Sequence, residues 1–518
     1  MRKRLTALTL AFVVIFTSAM AYAQTNSFDP QPPNEARQLY HGMTFDEFLQ
    51  SDLYLDALDR FVNFYGFTLE YSINYLRTIK YIDNLSAAFG NEYGMWVFPD
   101  YVGGMYINND GILVIQLTQT AMRSSLSVNQ FNTTLSQYVN LDYVIVQDVM
   151  FSHSQLLQKK DWLLDWANSN ISQDIFNALS VIDNYNRVVV HLWENTPEGI
   201  DYFRRTISDS PMIMFRQARF ELDFGGGDIE LINRITRIVE LHGLTNIFDD
   251  TEQIRVLRML LEDENADISW FSLPDAEERG ANYPFSLSSS YQSLPLQVPS
   301  LLEPSNVRDR MIQPGQPLFD SNGVQRGSAG FRARRFTEGI TGIVIAGHSF
   351  SPGQRVFNGT MNYIGTVSNI WQNSGNFDAA FLPLAPGIST NNTLLTNQTL
   401  ATSWAIPVVG VNIAHQSSIT ARRAPQYLGM VGQITNVNHT VLRSDGNHIH
   451  GLSQTNLYAF PGDSGGPVYR IDGATFVTMG IVQGGTYPMA SRNRAVVGIN
   501  TNFMPANRII QGFVLQRY

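Results

Sequence analysis

Ser464 lies in Phe460-Pro461-Gly462-Asp463-Ser464-Gly465-Gly466-Pro467, the stretch with the clearest chemical content in the chain. A serine hydroxyl becomes an effective nucleophile when a base removes its proton and a third group orients the base. The glycines around Ser464 permit a turn tight enough for the amides of Gly462 and Ser464 to point into one small space. Two preorganised N–H donors aimed at a developing oxyanion stabilise the tetrahedral stage of acyl transfer. Gly-Asp-Ser strings also occur in ordinary turns, so the reading depends on partners elsewhere in the chain. His348 ends Ile345-Ala346-Gly347-His348, behind the apolar run 342–345, where a buried strand would hold it as a general base. Asp378 sits inside Asn376-Phe377-Asp378-Ala379-Ala380-Phe381-Leu382. A carboxylate buried there is costly unless paired, and the Nδ1–H of a histidine would pair it. The expected chemistry is attack by Ser464, with His348 as base and Asp378 as orienting carboxylate.

The elements that must hold these groups divide the chain. Residues 1–23 read as a signal peptide: Arg2-Lys3-Arg4, an apolar Leu5 to Phe16, then Ala21-Tyr22-Ala23 before Gln24. The apolar run is about a dozen residues, short of the ~20 a membrane span needs, so the expectation is a secreted chain with no stable membrane anchor. Leucines and phenylalanines recur at helical spacing over roughly Phe45 to Phe89. Strands 102–107 and 112–117 flank an Asp-Gly turn. A helix is expected from Ser154 to Asn168, a second hairpin over 180–192 containing a structural His191, and a helix starting at Pro197 and leading to Arg205. Gly225-Gly226-Gly227 lacks the pattern of a phosphate loop and reads as a break before a helix at 229–242. Residues 24–280 thus read as an α+β region. Residues 281–308, rich in Ser and Pro, read as a linker where proteolysis concentrates. From 309 to 518, short strands alternate with Gly, Asn and Ser turns, as in an all-β protein.

Composition narrows the function classes. The chain has 518 residues, enough for two to four domains. Its net charge is −10 and no basic block occurs, so nucleic acid is not an expected partner. Cysteine is absent, which excludes disulfides and thiolate chemistry. No cofactor and no metal site is expected. His448 and His450 would share one strand face near Asp445, but a third ligand is not evident.

The order His348, Asp378, Ser464 is that of chymotrypsin and not of subtilisin or the α/β-hydrolases. Residues 309–518 resemble the bacterial streptogrisin and α-lytic branch of the chymotrypsin-like serine proteases. The resemblance rests on Gly462-Asp463-Ser464-Gly465-Gly466, on Ala346-Gly347-His348, on Gln316-Pro317-Leu318-Phe319 and on Arg326 to Phe331. Residues around 100–207 resemble that branch's pro-region through Gly103 to Ile107, Gly111 to Val114 and Asp183 to Val190.

The resemblance implies a double Greek-key β-barrel preceded by a pro-region that helps the barrel fold and inhibits it. It implies protein or peptide substrates, bound edge-on by the strand Val482 to Gly485. Gln483, Gly484 and Gly485 would bind substrate backbone, and Tyr458, Ala459 and Phe460 would line the primary pocket. None of these is acidic, so an apolar or aromatic preference is expected. It also implies an ion pair between Asp463 and Arg422 or Arg423. Three departures stand out: Ser349 and Gly327 occupy places where relatives carry a bridged cysteine pair, Ile345 replaces a threonine, and Gln483 replaces a serine that supports the aspartate. The rival reading is a secreted, inactive homologue acting as a binding protein, which a missing catalytic residue would support; none is missing.

Overall fold

The computed structural model describes residues 45–223, 251–263 and 310–518, apart from short internal segments, and a few residues between 234 and 266 besides. The leader at 1–23, the Gly225-Gly226-Gly227 break, the 281–308 linker and most of 229–242 lie outside the described residues.

The helical stretch expected over 45–89 consists of α1 (Phe45–Leu49), α2 (Asp52–Asp59) and α3 (Leu69–Phe89), with a π-helical turn at Arg60–Phe64. Hydroxyls set two of the starts. Ser51 Oγ accepts from Tyr54 N at 3.3 Å and Thr68 Oγ1 from Tyr71 N at 3.2 Å, each satisfying a first-turn donor that has no partner within the helix. The expected first hairpin is β1 (Val102–Ile107) with β2 (Leu113–Thr118). Asn108 Oδ1 holds its turn by accepting from the amides of Asp110 and Ile112. A third strand, β3 (Val144–Val149), pairs parallel to β2 and was not expected. Next come α4 (His153–Asn170), β4 (Phe176–Ile182) and β5 (Arg187–Leu192), close to the expected bounds. α5 (Pro197–Thr206) begins at the capping Thr196 with Pro197 in its first turn. It leads into β6 (Ile213–Gln217), parallel to β5. Strand β7 (Glu221–Asp223) and helix α6 (Thr251–Glu262) are additions to the expected set.

The β-rich part has two bodies. In the first, β8 (Arg332–Arg335), β9 (Thr341–Ile345) and β10 (Ala379–Pro383) are neighbours in a five-stranded sheet completed by strands at 369–371 and 515–516. A four-stranded sheet packs with it over Leu318, Ile343, Ile345, Val356, Ile364 and Leu382. The second body holds β11 (Asn412–His415), β12 (Gly432–Leu442), β13 (His448–Thr455), β14 (Pro467–Asp472), β15 (Thr475–Thr486) and β16 (Asn500–Pro505). Helices α7 (Ser418–Arg423) and α8 (Ala506–Gly512) interrupt what the sequence suggested was strand and turn alone.

The two parts of the chain share one sheet. Its order runs β11-β14-β15-β16-β13-β12 and continues directly into β4-β5-β6. β12 meets β4 antiparallel, with Val437 opposite Val181 and Thr440 opposite Leu179. One buried cluster likewise joins Tyr75, Ile79 and Ile82 of α3 to Ile413, Tyr469 and Ile471. The N-terminal region is therefore bonded and packed as part of the same core, and its removal would expose that apolar surface.

Candidate active site

Strands β9 and β10 bring a histidine and an aspartate to the same end of one sheet. They are antiparallel with Ile345 opposite Ala380. His348 follows β9 in a short 3₁₀ turn, and Asp378 comes just before β10. Asp378 is 1% exposed, and both its oxygens are used. Oδ1 accepts from the backbone amide of His348 at 2.8 Å, and Oδ2 lies 2.5 Å from His348 Nδ1. The second body supplies the third group from the loop between β13 and β14. Ser464 Oγ stands 2.9 Å from His348 Nε2 and 3.2 Å from the carbonyl oxygen of Gln483.

The nucleophile turn has φ values of +97° at Gly462 and +89° at Gly465, a region that favours glycine. Within it the amides of Asp463, Gly465 and Gly466 donate to Phe460, Val482 and Asp463 carbonyls. Among the described residues those of Gly462 and Ser464 donate to none. The turn is anchored from outside by residues that the sequence did not single out. The Gly462 carbonyl accepts from Ser328 Oγ at 3.0 Å, and Ser328 Oγ also meets Ser418 Oγ at 2.9 Å. The Ser328 amide donates to the Ser464 carbonyl at 2.7 Å. Small hydroxyls scattered over 90 or more residues carry no periodicity, which is why only the folded chain reveals them.

The donors that the structure places on Asp463 are three amides and a hydroxyl. The carboxylate is fully buried and accepts from the amides of Ile419 and Thr420 at 3.0 Å each, from Phe460 N at 2.8 Å and from Thr420 Oγ1 at 2.5 Å. Arg422 is exposed and donates instead to the Ser418 carbonyl and to Gln325 Oε1. The side chain of Arg423 lies outside the described residues. Burial pushes the Asp463 carboxyl up, opposed by the charge of His415 and by these donors. These four donors satisfy the carboxylate, as its burial requires.

Ala459 and Phe460 are buried beside the nucleophile loop, and the Tyr458 carbonyl lies 2.5 Å from His415 Nε2. Gln483 is also buried. On β15, Gly484 and Gly485 lie opposite Asn502 and Thr501 of β16 on one side. On the other they lie opposite Asp223 and Leu222 of β7. Gly327 and Ser349 face each other: a Cβ on Gly327 would lie 2.9 Å from Ser349 Oγ. His448 meets Asn168, and His450 Nδ1 lies 3.3 Å from Thr440 Oγ1. Asp445 lies outside the described residues, and among those described no cluster of three His, Asp or Glu side chains is placed to hold a metal.

Comparison with known proteins adds two findings. Residues 70–148 match the family model of a Pro-like N-terminal domain, and residues 154–218 that of a Pro-like C-terminal domain. Similar solved structures include the chymotrypsin of Cellulomonas bogoriensis, 24% identical over 40% of this chain and 98% of that one, with a TM-score of 0.31. Another is protease A of Thermobifida fusca, 25% identical over 40% of this chain and 97% of that one, with a TM-score of 0.32. The chain resembles the streptogrisin and α-lytic branch of the chymotrypsin-like serine proteases, with Pro-like domains ahead of a β-rich region.

Proposed function

We propose that the chain is a secreted serine endopeptidase made as a zymogen, with 24–280 as pro-region, 281–308 as linker and 309–518 as protease domain. The observation that carries this reading is the unbroken line of polar contacts from Asp378 through His348 to Ser464. With its proton on Nδ1, held by Asp378, the imidazole presents the lone pair of Nε2 to Ser464 Oγ. It removes the hydroxyl proton as Oγ attacks a peptide carbonyl. The oxyanion that forms is met by the amides of Gly462 and Ser464. Asp378 stabilises the imidazolium, which then protonates the leaving amine, and water hydrolyses the acyl-enzyme. The backbone of the peptide substrate lies along Gln483, Gly484 and Gly485, with its side chain toward the uncharged wall of Tyr458, Ala459 and Phe460.

The pro-region both shapes and blocks this site. It completes the sheet through β4 and lays β7 along the edge that a substrate needs. A fluorophosphonate probe is expected to label Ser464 of the processed enzyme and to leave Ser464→Ala unlabelled. Ser464→Ala and His348→Ala are each expected to lower peptide hydrolysis by at least ~10⁴, and Asp378→Asn by a comparable factor. Retention of most activity by Ser464→Ala would exclude this assignment of the nucleophile.

A further inference from the structure

We propose that Gln325 is a positioning residue for the oxyanion hole, acting on the Gly462 carbonyl through Ser418 and Ser328. The proposal rests on the reading of Ser464 as nucleophile and of the Gly462 and Ser464 amides as oxyanion donors. The 462–463 peptide lies between those two amides, so whatever fixes its carbonyl fixes how both are aimed. Among the described residues, no backbone amide donates to that carbonyl. Two side chains of the first β body meet it instead, Ser328 Oγ at 3.0 Å and Gln325 Nε2 at 3.4 Å.

One direction of donation satisfies every atom in this group. An arginine has no acceptor, so Gln325 turns Oε1 toward the guanidinium of Arg422 and Nε2 inward. Nε2 donates to Ser418 Oγ at 2.6 Å. The Gly462 carbonyl can only accept, so the single hydroxyl proton of Ser328 is committed to it. Ser328 Oγ therefore accepts across its 2.9 Å contact with Ser418 Oγ, and it also accepts from the Ser418 amide at 3.1 Å. Donation thus runs from Arg422 to Gln325, then to Ser418, Ser328 and finally Gly462. Ser328 and Ser418 are each 1% exposed. Hydrogen bonds aligned in this way through a low-dielectric interior strengthen one another.

Every step of this path crosses between the two β bodies. Gln325 and Ser328 belong to the four-stranded sheet of the first, whereas Ser418 and Arg422 lie on α7 of the second, with Gly462. The oxyanion donors are therefore aimed only when the two bodies are docked. Gln325→Glu separates this role from the filling of space. A carboxylate there keeps the size of the side chain and pairs better with Arg422. It has no proton for Ser418, and it sets an oxygen against the Gly462 carbonyl.

Full-length wild type, Gln325→Glu, Gln325→Ala and Ser328→Ala would be expressed, and the processed enzymes compared on the peptide anilide that wild type cuts fastest. Turnover is counted per Ser464 labelled by exhaustive fluorophosphonate treatment, so poor folding lowers the count and not the rate. Each variant is expected to lose at least ~10-fold in kcat with KM held within ~2-fold, as for an interaction made only in the transition state. A peptide boronic acid, which forms a tetrahedral adduct on Ser464, is expected to bind more weakly by the factor that kcat/KM loses. The pH midpoint of kcat/KM, which reports His348, is expected to stay in place. An unchanged kcat per labelled site in Gln325→Glu would overturn this proposal and leave the protease reading standing. A loss confined to KM, or an unchanged affinity for the boronic acid, would overturn it in the same way. A wild type that takes up no fluorophosphonate and cuts no peptide would overturn both readings.

Discussion

Gly347 shows at the scale of one residue why the site needs its particular sequence. A Cβ at this position would lie 2.8 Å from Asp378 Oδ1 and 2.9 Å from the Ala379 amide. Gly347→Ala should therefore push the carboxylate away from His348. The expected result is a fall in kcat of about 10²-fold with little change in KM, since a ~1 Å misplacement of catalytic groups costs that much. Steady-state kinetics on a peptide anilide decides it; an unchanged kcat would show that the strand absorbs the methyl group. Ser349 makes the opposite case. It is buried and, among the described residues, its hydroxyl has no hydrogen-bond partner. Ser349→Ala removes an unsatisfied polar group, so thermal unfolding should show a Tm that is held or raised. The three catalytic candidates were legible because each sits in a short local pattern. The partners of Asp463 were not, because backbone amides such as those of Ile419 and Thr420 leave no mark in a sequence.

Between elements, the seam joining the two parts of the chain is lined with histidines. His439 of β12 has its Nδ1 2.7 Å from Ser180 Oγ of β4, and its ring centroid is 5.9 Å from that of His191 on β5. Nearby, Lys160 of α4 donates to the Asn438 carbonyl and to Thr440 Oγ1. Burial pushes His191 well below its ordinary value, helped by His439, Arg216 and Arg219. Burial also pushes His450 down to about 4, with the positive charges of Lys160, His448 and Arg508 adding to it. Both imidazoles are thus neutral when packed and regain an ordinary pKa near ~6.5 once separated. As pH falls from ~6.5 toward 4, the separated form takes up protons that the packed form refuses, so the seam weakens. Lys160, pushed down to about 8 by burial, is charged in both forms over that window and adds no slope there. In processed enzyme, the dissociation constant of the pro-region should be flattest near pH 7, and above about pH 8 it should fall further as the lowered Lys160 favours the packed form. It should rise on acidification, approaching ~10-fold per unit for each histidine that titrates. His450→Asn should flatten the slope; an equally steep profile in that variant would exclude its role. The hairpins and α4 could be read from periodicity, whereas β3 and β6 pair in parallel across long connections. The β12–β4 seam joins residues more than 250 positions apart, and no local pattern encodes that.

The whole molecule depends on contacts that span the chain. Arg470 is 2% exposed and is gripped by Asp472, with contacts of 2.6 and 2.7 Å, and by Asp83 of α3, with two contacts of 2.9 Å. Tyr75 Oη of the same helix accepts from the Asn412 amide at 2.9 Å. Without α3, this guanidinium and an apolar patch around Ile413 and Ile471 lose their cover, and a buried charge stripped of a partner is strongly unfavourable. Two β bodies built on non-local pairings fold slowly, because loop closure must precede the contacts that stabilise it. With no cysteine in the chain, no disulfide narrows the unfolded ensemble. Residues 309–518 alone should therefore refold into an inactive state, and residues 34–280 added as a separate chain should restore peptide hydrolysis. Asp83→Asn in the added chain removes one charged grip on Arg470 and should slow or reduce that rescue, while leaving the final activity of correctly folded enzyme unchanged. Refolding followed by active-site titration measures both. A protease part that recovers full activity quickly by itself would remove the folding role and leave β7 with inhibition alone.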